Sequence, residues 1–128
     1  MDNLFGSSFK IQAAYPKIIE TKRLIPEKQP SSDLISVEFF ILLKDTREKI
    51  GTVVMVYDGE IWYKVDKPFN KKGYATEAVS KLIDISEGNS FYLSIKSTNT
   101  PSIKVAKKLG FRFQKIINVN SLIFVKEK

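Results

Sequence analysis

The chain has 128 residues, 43% of them hydrophobic, with a net charge of +7 and neither cysteine nor histidine. This length and composition fit one folded domain, and without a membrane-spanning apolar run or a signal-like N-terminus we expect a cytoplasmic protein. The missing residue types exclude disulfides, a thiol nucleophile, a histidine base and a zinc site of the usual ligands, so acid–base chemistry falls to carboxylates, tyrosine, lysine, serine or the backbone.

The first part of the chain predicts a leader, a strand and a loop. Residues 1–16 carry little periodicity and predict a flexible leader, which leaves 17–128 as a single domain. The β-branched and apolar positions of residues 17–25 predict a first strand. Residues 26–33 hold two prolines and two serines, which is typical of a loop. Only about eight residues therefore connect the first strand to the second.

The next part predicts an antiparallel meander of three strands. Residues 34–43 alternate and then run apolar, and residues 50–57 and 60–65 continue the strand pattern. The pair Asp58-Gly59 between the last two runs is a strong hairpin signal.

The second half predicts helices alternating with strands, and hence a mixed sheet in an α/β architecture. A helix over residues 76–85 is expected to end at a left-handed cap, Gly88-Asn89, before a strand at residues 91–96. The inner stripe of that helix is expected to hold Ala75, Val79, Leu82 and Ile83.

A second helix and a closing hairpin complete the chain. Asn99 or Thr100 is suited to cap the helix, and Gly110 is suited to end it. The hairpin is expected to pair residues 111–117 with residues 121–126.

A short basic turn leads into the first helix, Asn70-Lys71-Lys72-Gly73-Tyr74-Ala75-Thr76-Glu77-Ala78. The first turn of a helix leaves backbone N–H groups without partners and carries partial positive charge. Gly73 lets the backbone approach a ligand closely, and Lys71 and Lys72 add full charges beside it. The pattern suits a phosphate site, and it equally suits an ordinary strand-to-helix loop with solvated lysines.

Together with two other stretches, this turn resembles the GNAT superfamily of acyl-CoA-dependent N-acetyltransferases. The second stretch runs from Asn99 through Ser102 to Phe111, and the third is Ile19-Glu20-Thr21-Lys22-Arg23-Leu24-Ile25. These sequence motifs are most similar to those of the branch that acetylates the N-termini of ribosomal proteins. The resemblance implies a mixed, largely antiparallel sheet that splays between its fourth and fifth strands, with helices on its flanks. It also implies acetyl-CoA as cofactor and direct attack by an amine on the thioester.

The resemblance also implies where the cofactor binds. The pantetheine arm would pair with the backbone of Tyr63 and Val65, and Asn99 would lie near it unless it only caps its helix. Ser102 matches a serine near the CoA sulfur that donates to the departing thiolate, and it is the predicted catalytic residue unless it is only an ordinary serine in the first turn of its helix. Ala106 stands where many members have a tyrosine acid. The pyrophosphate would lie on the backbone of Lys71, Lys72, Gly73, Tyr74, Ala75 and Thr76, with Asn70 in place of the family's Gln or Arg.

The acceptor side is less defined. Glu38, Glu60 and Asp66 are candidates for the base, and the Val65 N–H for polarising the thioester carbonyl. The family has one or two helices between its first two strands, and they wall the acceptor site. The short connection here implies an open acceptor side, or one covered by the leader or by the second subunit of a homodimer. The acceptor is an amine that the sequence leaves unnamed, either a small molecule or a peptide N-terminus.

The whole excess of positive charge lies in residues 96–128, which hold eight Lys or Arg and one acid. Such a surface suits an anionic partner, either the phosphates of CoA or nucleic acid, or consists of solvated lysines. Two alternatives to an enzyme follow: a CoA-binding GNAT-like module with little catalysis, and a small basic nucleic-acid-binding domain. The nucleic-acid-binding alternative has no recognised sequence signature. Phe111 and Phe113 lie beside Arg112 in the basic segment, but they are expected to alternate into the core.

Overall fold

The computed structural model describes residues 15–16, 19–30 and 34–128, which form two antiparallel sheets and two α-helices. The first sheet has the strand order β1-β2-β3-β4 and the second the order β5-β7-β6. Neither helix is long and apolar enough to cross a membrane within these ranges. In chain order the elements are β1 (Leu24–Lys28), β2 (Ser36–Leu43), β3 (Lys49–Val56), β4 (Ile61–Val65), α1 (Tyr74–Ile85), β5 (Ser90–Lys96), α2 (Thr100–Lys108), β6 (Arg112–Ile117) and β7 (Ser121–Glu127).

The first strand is the element that the sequence misplaced. It was predicted at residues 17–25 but lies at Leu24–Lys28, with residues 17–18 outside the described part of the chain. Pro26 was taken as the start of a loop, yet it pairs with Ile41 and is fully buried. An edge strand tolerates proline because one side of its backbone needs no ladder partner. Residues 29–35 connect β1 to β2, so the short connection is confirmed.

The leader prediction falls largely outside the described residues, which include only its last two positions. Of these, Tyr15 is buried and meets the Phe39 ring edge-to-face with centroids 5.3 Å apart. Its carbonyl accepts a hydrogen bond from Lys28 Nζ at 2.8 Å. Tyr15 therefore belongs to the same core as the first sheet.

Helix α1 begins at Tyr74, two residues before the predicted start, because Gly73 turns the chain into it with a φ of 82°. Its buried residues are Ala78, Val79, Leu82 and Ile83. Ala75 was wrongly placed on the inner stripe: it is only partly buried because it lies in the first turn, beside the exposed end of the helix.

One of the two predicted left-handed caps is confirmed and the other is wrong. Gly110 ends α2 with a φ of 88° and donates to the Lys107 carbonyl at 3.0 Å. At the end of α1, Ser86 is extended and no left-handed residue occurs at Gly88-Asn89. The Ser86 hydroxyl accepts the Gly88 N–H at 3.1 Å, a local side-chain turn that replaces the glycine cap.

The second sheet has an exposed edge. All residues of β6 are exposed, and a register shift between Phe113 and Lys115 interrupts its pairing with β7. Phe111, just before β6, is buried as expected, but Phe113 is 52% exposed. The prediction that Phe113 lies in the core was therefore wrong: on this edge strand its ring contacts only the rim of the core, edge-to-face with Phe124 at a centroid distance of 5.9 Å.

The two sheets meet at one point and then separate. Glu60 and Tyr92 form an isolated parallel bridge, and the Tyr92 N–H donates to the Gly59 carbonyl at 2.9 Å. Beyond this bridge β4 and β5 belong to different sheets, which confirms the predicted splay. Each strand then leads into the N-terminus of a helix, so the starts of α1 and α2 lie at the open end of the gap.

Gly59→Ala tests how much the domain depends on this junction. Gly59 has a φ of 101°, and an added Cβ would lie 2.4 Å from the Ser90 carbonyl oxygen. We expect the free energy of unfolding to fall by about 1–3 kcal/mol, measured by urea titration with Trp62 fluorescence. Gly88→Ala is the control, because a Cβ there meets nothing closer than 3.5 Å and its φ is not positive. Equal stability of the two variants would contradict the prediction.

Candidate functional site

The edge of β4 presents free backbone groups to the gap. Next to the end of this strand, the Asp66 N–H donates to the Ile50 carbonyl at 2.7 Å, on the β3 side. Hydrogen-bonding groups alternate along an antiparallel pair, so the N–H and C=O groups of Tyr63 and Val65 point away from β3. The gap therefore has a strand edge that can pair with an extended ligand, at the two positions that the sequence predicted.

The turn between β4 and α1 presents a run of free donors at the open end of the gap. The N–H groups of residues 71–76 make no hydrogen bond to any other described residue. The first donor of α1 is Glu77, whose N–H donates to the Gly73 carbonyl at 3.0 Å. Since four free donors are usual at a helix start, the turn extends the set beyond the helix itself.

The backbone of this turn has the conformation of an anion-binding nest. Lys71 and Gly73 have positive φ values of 62° and 82°, and Lys72 between them does not. Alternation of hand in successive residues forms a concavity of N–H groups that accepts anions. The side chains of Lys71 and Lys72 are exposed and add positive charge at its rim. Backbone and side chains together suit a phosphate group.

Arg23 holds this turn against the residues that precede β1. Its Nε donates to Glu77 Oε1 at 2.7 Å and its backbone N–H to Glu77 Oε2 at 2.8 Å. Its Nη1 donates to the Lys72 carbonyl at 3.0 Å, and its guanidinium lies 4.3 Å from the centre of the Tyr74 ring. The Thr21 hydroxyl donates to the same Glu77 carboxylate. The Glu77 carboxylate of α1 thus accepts three hydrogen bonds from the segment before β1.

The Glu77 carboxylate is stabilised in its charged form. Its side chain is only 18% exposed, and burial alone raises its pKa. The hydrogen bonds from Thr21 and Arg23, with the positive charge of Arg23, outweigh burial and lower the pKa below the usual 4.5. The carboxyl is therefore charged at neutral pH and holds its donors firmly.

Across the gap from β4, the first turn of α2 carries Ser102. Asn99 caps the helix, its Oδ1 accepting the Ser102 N–H at 3.3 Å, so the predicted cap is confirmed. Ser102 is partly buried, and Ala106, one turn later on the same face, is fully buried. The helix therefore presents a serine where the chain turns into the gap, and no tyrosine on the following turn.

The tyrosine that meets Ser102 comes from β4. The hydroxyl of Tyr63 is buried and has no hydrogen-bond partner of normal geometry among the described residues. Burial raises the pKa of Tyr63, and the nearby Ser102 side chain lowers it in part. The two hydroxyls are therefore neighbours without a well-formed bond between them, each available to a further polar group.

The three candidate bases lie in different places. Glu38 pairs with Val54, which pairs with Trp62, so Glu38 is on the sheet face opposite to Tyr63. Asp66 lies beyond the open end of β4, next to the turn. Glu60 alone lies at the bridge where the gap begins. The structure therefore does not bring the three together.

The closed end of the gap is acidic. The Tyr92 hydroxyl donates to Asp58 Oδ2 at 3.0 Å. Burial, followed by this hydrogen bond and the charge of Glu60, raises the pKa of Tyr92 to about 12. A cavity of about 190 Å³ lies beside it, between Asp58, Tyr92 and Arg112 and outside the gap. Among the described residues, no group of three or more His, Cys, Asp or Glu could hold a metal ion.

Several residues of this site were not found by sequence reasoning. Tyr63 was named for its backbone only, and Arg23, Thr21 and Glu77 were given no role. Arg23 and Thr21 belong to the opening stretch that resembles the GNAT pattern, and Glu77 belongs to the glycine-turn stretch. The opposite charges of Arg23 and Glu77 were a signal that these two stretches pair. Sequence reasoning did not use it because the two residues are 54 positions apart.

Glu77→Gln tests the pKa of this carboxyl. At pH 7 we expect the variant to lose roughly 1–2 kcal/mol of unfolding free energy, because neutral Gln accepts the same donors less strongly. The wild-type advantage is present above about pH 4.5 and is lost as the pH falls through the lowered native pKa. Urea titrations at pH 7 and pH 3 measure it, with exposed Glu87→Gln as control. A difference of the same size at both pH values would contradict this prediction.

Comparison with known proteins agrees with the resemblance. A family model described as an acetyltransferase (GNAT) domain matches residues 10–112. A curated protein of Bacillus licheniformis, uncharacterized N-acetyltransferase p20, is 37% identical over 84 residues, 58% of this chain. The chain spans about half of that relative's length, 47%.

Solved structures share the fold. An acetyltransferase from Agrobacterium tumefaciens superposes with a TM-score of 0.76 at 15% identity, covering 89% of this chain and 96% of its own. RimJ of Mycobacterium smegmatis, solved with a CoA disulfide, gives 0.63 at 19% identity, covering 73% and 53%. The family model spans most of the chain, and the splayed sheet matches; this protein belongs to the GNAT acetyltransferase family.

Proposed function

We propose that this protein is an acetyl-CoA-dependent N-acetyltransferase that transfers an acetyl group directly to an amine. The observation that carries the proposal is the run of free N–H groups at residues 71–76, at the open end of a gap with an unpaired strand edge. An extended pantetheine arm with a pyrophosphate at its end has the shape and charge that these two features accept together.

Each part of the cofactor has matching groups in the chain. The N–H and C=O groups of Tyr63 and Val65 suit the amides of the pantetheine arm. The turn from Lys71 to Thr76, with Gly73 at its centre, suits the pyrophosphate, and the basic residues of the last part of the chain suit a further phosphate. Acetyl-CoA supplies an acetyl group already activated as a thioester.

The neighbouring hydroxyls suit the leaving-group side of the reaction. In this proposal Ser102 donates a hydrogen bond or proton to the departing thiolate, and the Tyr63 hydroxyl supports Ser102. Tyr63 of β4 and Ser102 of α2 are neighbours, and Ala106 follows Ser102 one turn later on the same face of the helix. The Val65 N–H, free towards the gap, is suited to polarise the thioester carbonyl.

The closed end of the gap suits the acceptor. Asp58 and Glu60 place negative charge there, which attracts a protonated amine. Ile35, just before β2, lies at the same end, and its carbonyl accepts the Tyr57 N–H at 2.8 Å. Because the described residues place no helix between β1 and β2, this side admits a peptide N-terminus as readily as a small amine, and homodimer formation around it stays part of the proposal.

Gly73→Asp tests the cofactor site. Gly73 has a φ of 82° and an added Cβ would lie 3.3 Å from Arg23 Nη2, so aspartate strains the turn and adds a negative charge to the donor set proposed for the pyrophosphate. We expect acetyl-CoA affinity, measured by calorimetric titration, to fall about 100-fold or more. Gly88→Asp adds the same charge to an exposed loop and serves as the control. Failure of the wild-type protein to bind acetyl-CoA would overturn the proposal.

Ser102→Ala and Tyr63→Phe test the chemistry. We expect kcat to fall roughly 100-fold for Ser102→Ala and roughly tenfold for Tyr63→Phe, because both substitutions weaken proton donation to the leaving group. The dissociation constant of acetyl-CoA should change less than about twofold, since backbone groups carry its binding. Unchanged kcat in both variants would remove the hydroxyls from the mechanism. Tight binding without turnover of any amine would favour the non-catalytic alternative.

A further inference from the structure

We infer that Arg23 is a positioning residue that sets the Lys72–Gly73 peptide plane, and thereby aims the Gly73 N–H at the pyrophosphate. The inference rests on the proposed cofactor site and assigns a role to the opening stretch of the domain. Arg23 itself lies on the far side of the turn, where its Nη1 binds the Lys72 carbonyl oxygen at 3.0 Å.

Peptide geometry connects the two sides of the turn. In a trans peptide the C=O of one residue and the N–H of the next point in opposite directions. The peptide bonds of the described residues are all trans. When Arg23 holds the Lys72 oxygen on one side, the Gly73 N–H must project from the other side. That N–H is one of the free donors of the turn.

Without the contact from Arg23, the Lys72–Gly73 peptide plane would be free to flip. Glycine populates positive and negative φ about equally, so Gly73 alone does not select one orientation. A flipped plane would point the Lys72 oxygen, with its partial negative charge, towards a phosphate. Selecting one orientation in the free protein avoids that repulsion and removes the cost of ordering the turn on binding.

The forked guanidinium group of arginine is suited to holding the Lys72 carbonyl, and the lysine side chain is not. The guanidinium is planar and uses Nε for Glu77, Nη1 for Lys72 and its face for the Tyr74 ring. Its Nη2 would lie 3.3 Å from a Cβ added at Gly73, so it also packs against the turn. Lysine has a single nitrogen and no planar face, and it cannot make these contacts at once.

Arg23 is itself held rigidly on its backbone. Its N–H donates to Glu77 at 2.8 Å, and its carbonyl accepts the Lys44 N–H at 2.8 Å. These bonds anchor Arg23 both to α1 and to the loop after β2.

Arg23→Lys, which keeps the charge and removes the fork, is the test. We expect about tenfold weaker binding of CoA by calorimetric titration. This is the loss expected if the Lys72–Gly73 peptide has the binding orientation in only about one molecule in ten. Binding of acetyl-pantetheine, which lacks the pyrophosphate, should change less than about twofold. Arg112→Lys is the matched control, because Arg112 forms an exposed ion pair with Glu127 at 3.7 Å, away from the turn.

A ligand-free measurement separates this inference from the proposed function. In the NMR spectrum of the free protein, the Gly73 and Tyr74 amides of Arg23→Lys should shift and lose order relative to wild type, while the amides of β7 stay unchanged. Selective loss of CoA binding with this change supports the inference. Equal loss of both ligands, or unchanged Gly73 and Tyr74 amides, would overturn it. If wild type binds no CoA, the proposed function fails, and the amide spectra still decide whether Arg23 orders the turn.

Discussion

The separation of β4 from β5 after a single bridge is the constraint on which the rest of the site depends. An unpaired strand edge inside a domain leaves backbone donors and acceptors without partners, and burying them dry would be costly. Here the bridge at Glu60 and Tyr92 closes one end, and both strands run from it to helix starts at the other end. The same divergence therefore creates the strand edge of Tyr63 and Val65 and places free helix donors beyond it.

The open end needs a second element, because a turn of two lysines and a glycine has no fixed conformation of its own. The segment before β1 supplies it across the sequence, through Arg23 and Thr21 bound to Glu77. Glu77 is held in its charged form by these donors despite its burial. The proposed phosphate-binding surface is thus backbone, while the groups that shape it are side chains on the opposite side of the turn.

Local patterns predicted most of the fold, and long-range pairing explains what they missed. Alternation, the Asp58-Gly59 turn and the Asn99 cap located β2 to β5 and α2, because each signal lies within a few residues. The first strand was misplaced because Pro26 stops a central strand but not an edge strand, and edge position depends on the whole sheet. Phe113 was misjudged for a related reason, since exposure of β6 depends on its being last in the sheet order.

The candidate site also divides into positions that the sequence indicated and features that only the folded chain shows. Tyr63, Val65 and Ser102 came from resemblance and the turn at residues 71–76 from its own sequence as well, but the free backbone groups of Tyr63, Val65 and the turn became visible only in three dimensions. The Tyr63 hydroxyl illustrates the limit best: its neighbour Ser102 lies on another element, and only the folded chain brings β4 and α2 together. In the proposed mechanism Ser102 donates to the leaving group, and the Tyr63 hydroxyl supports it from the strand. Such support can come from either element, because it depends on the position of the O–H group and not on the element that carries it.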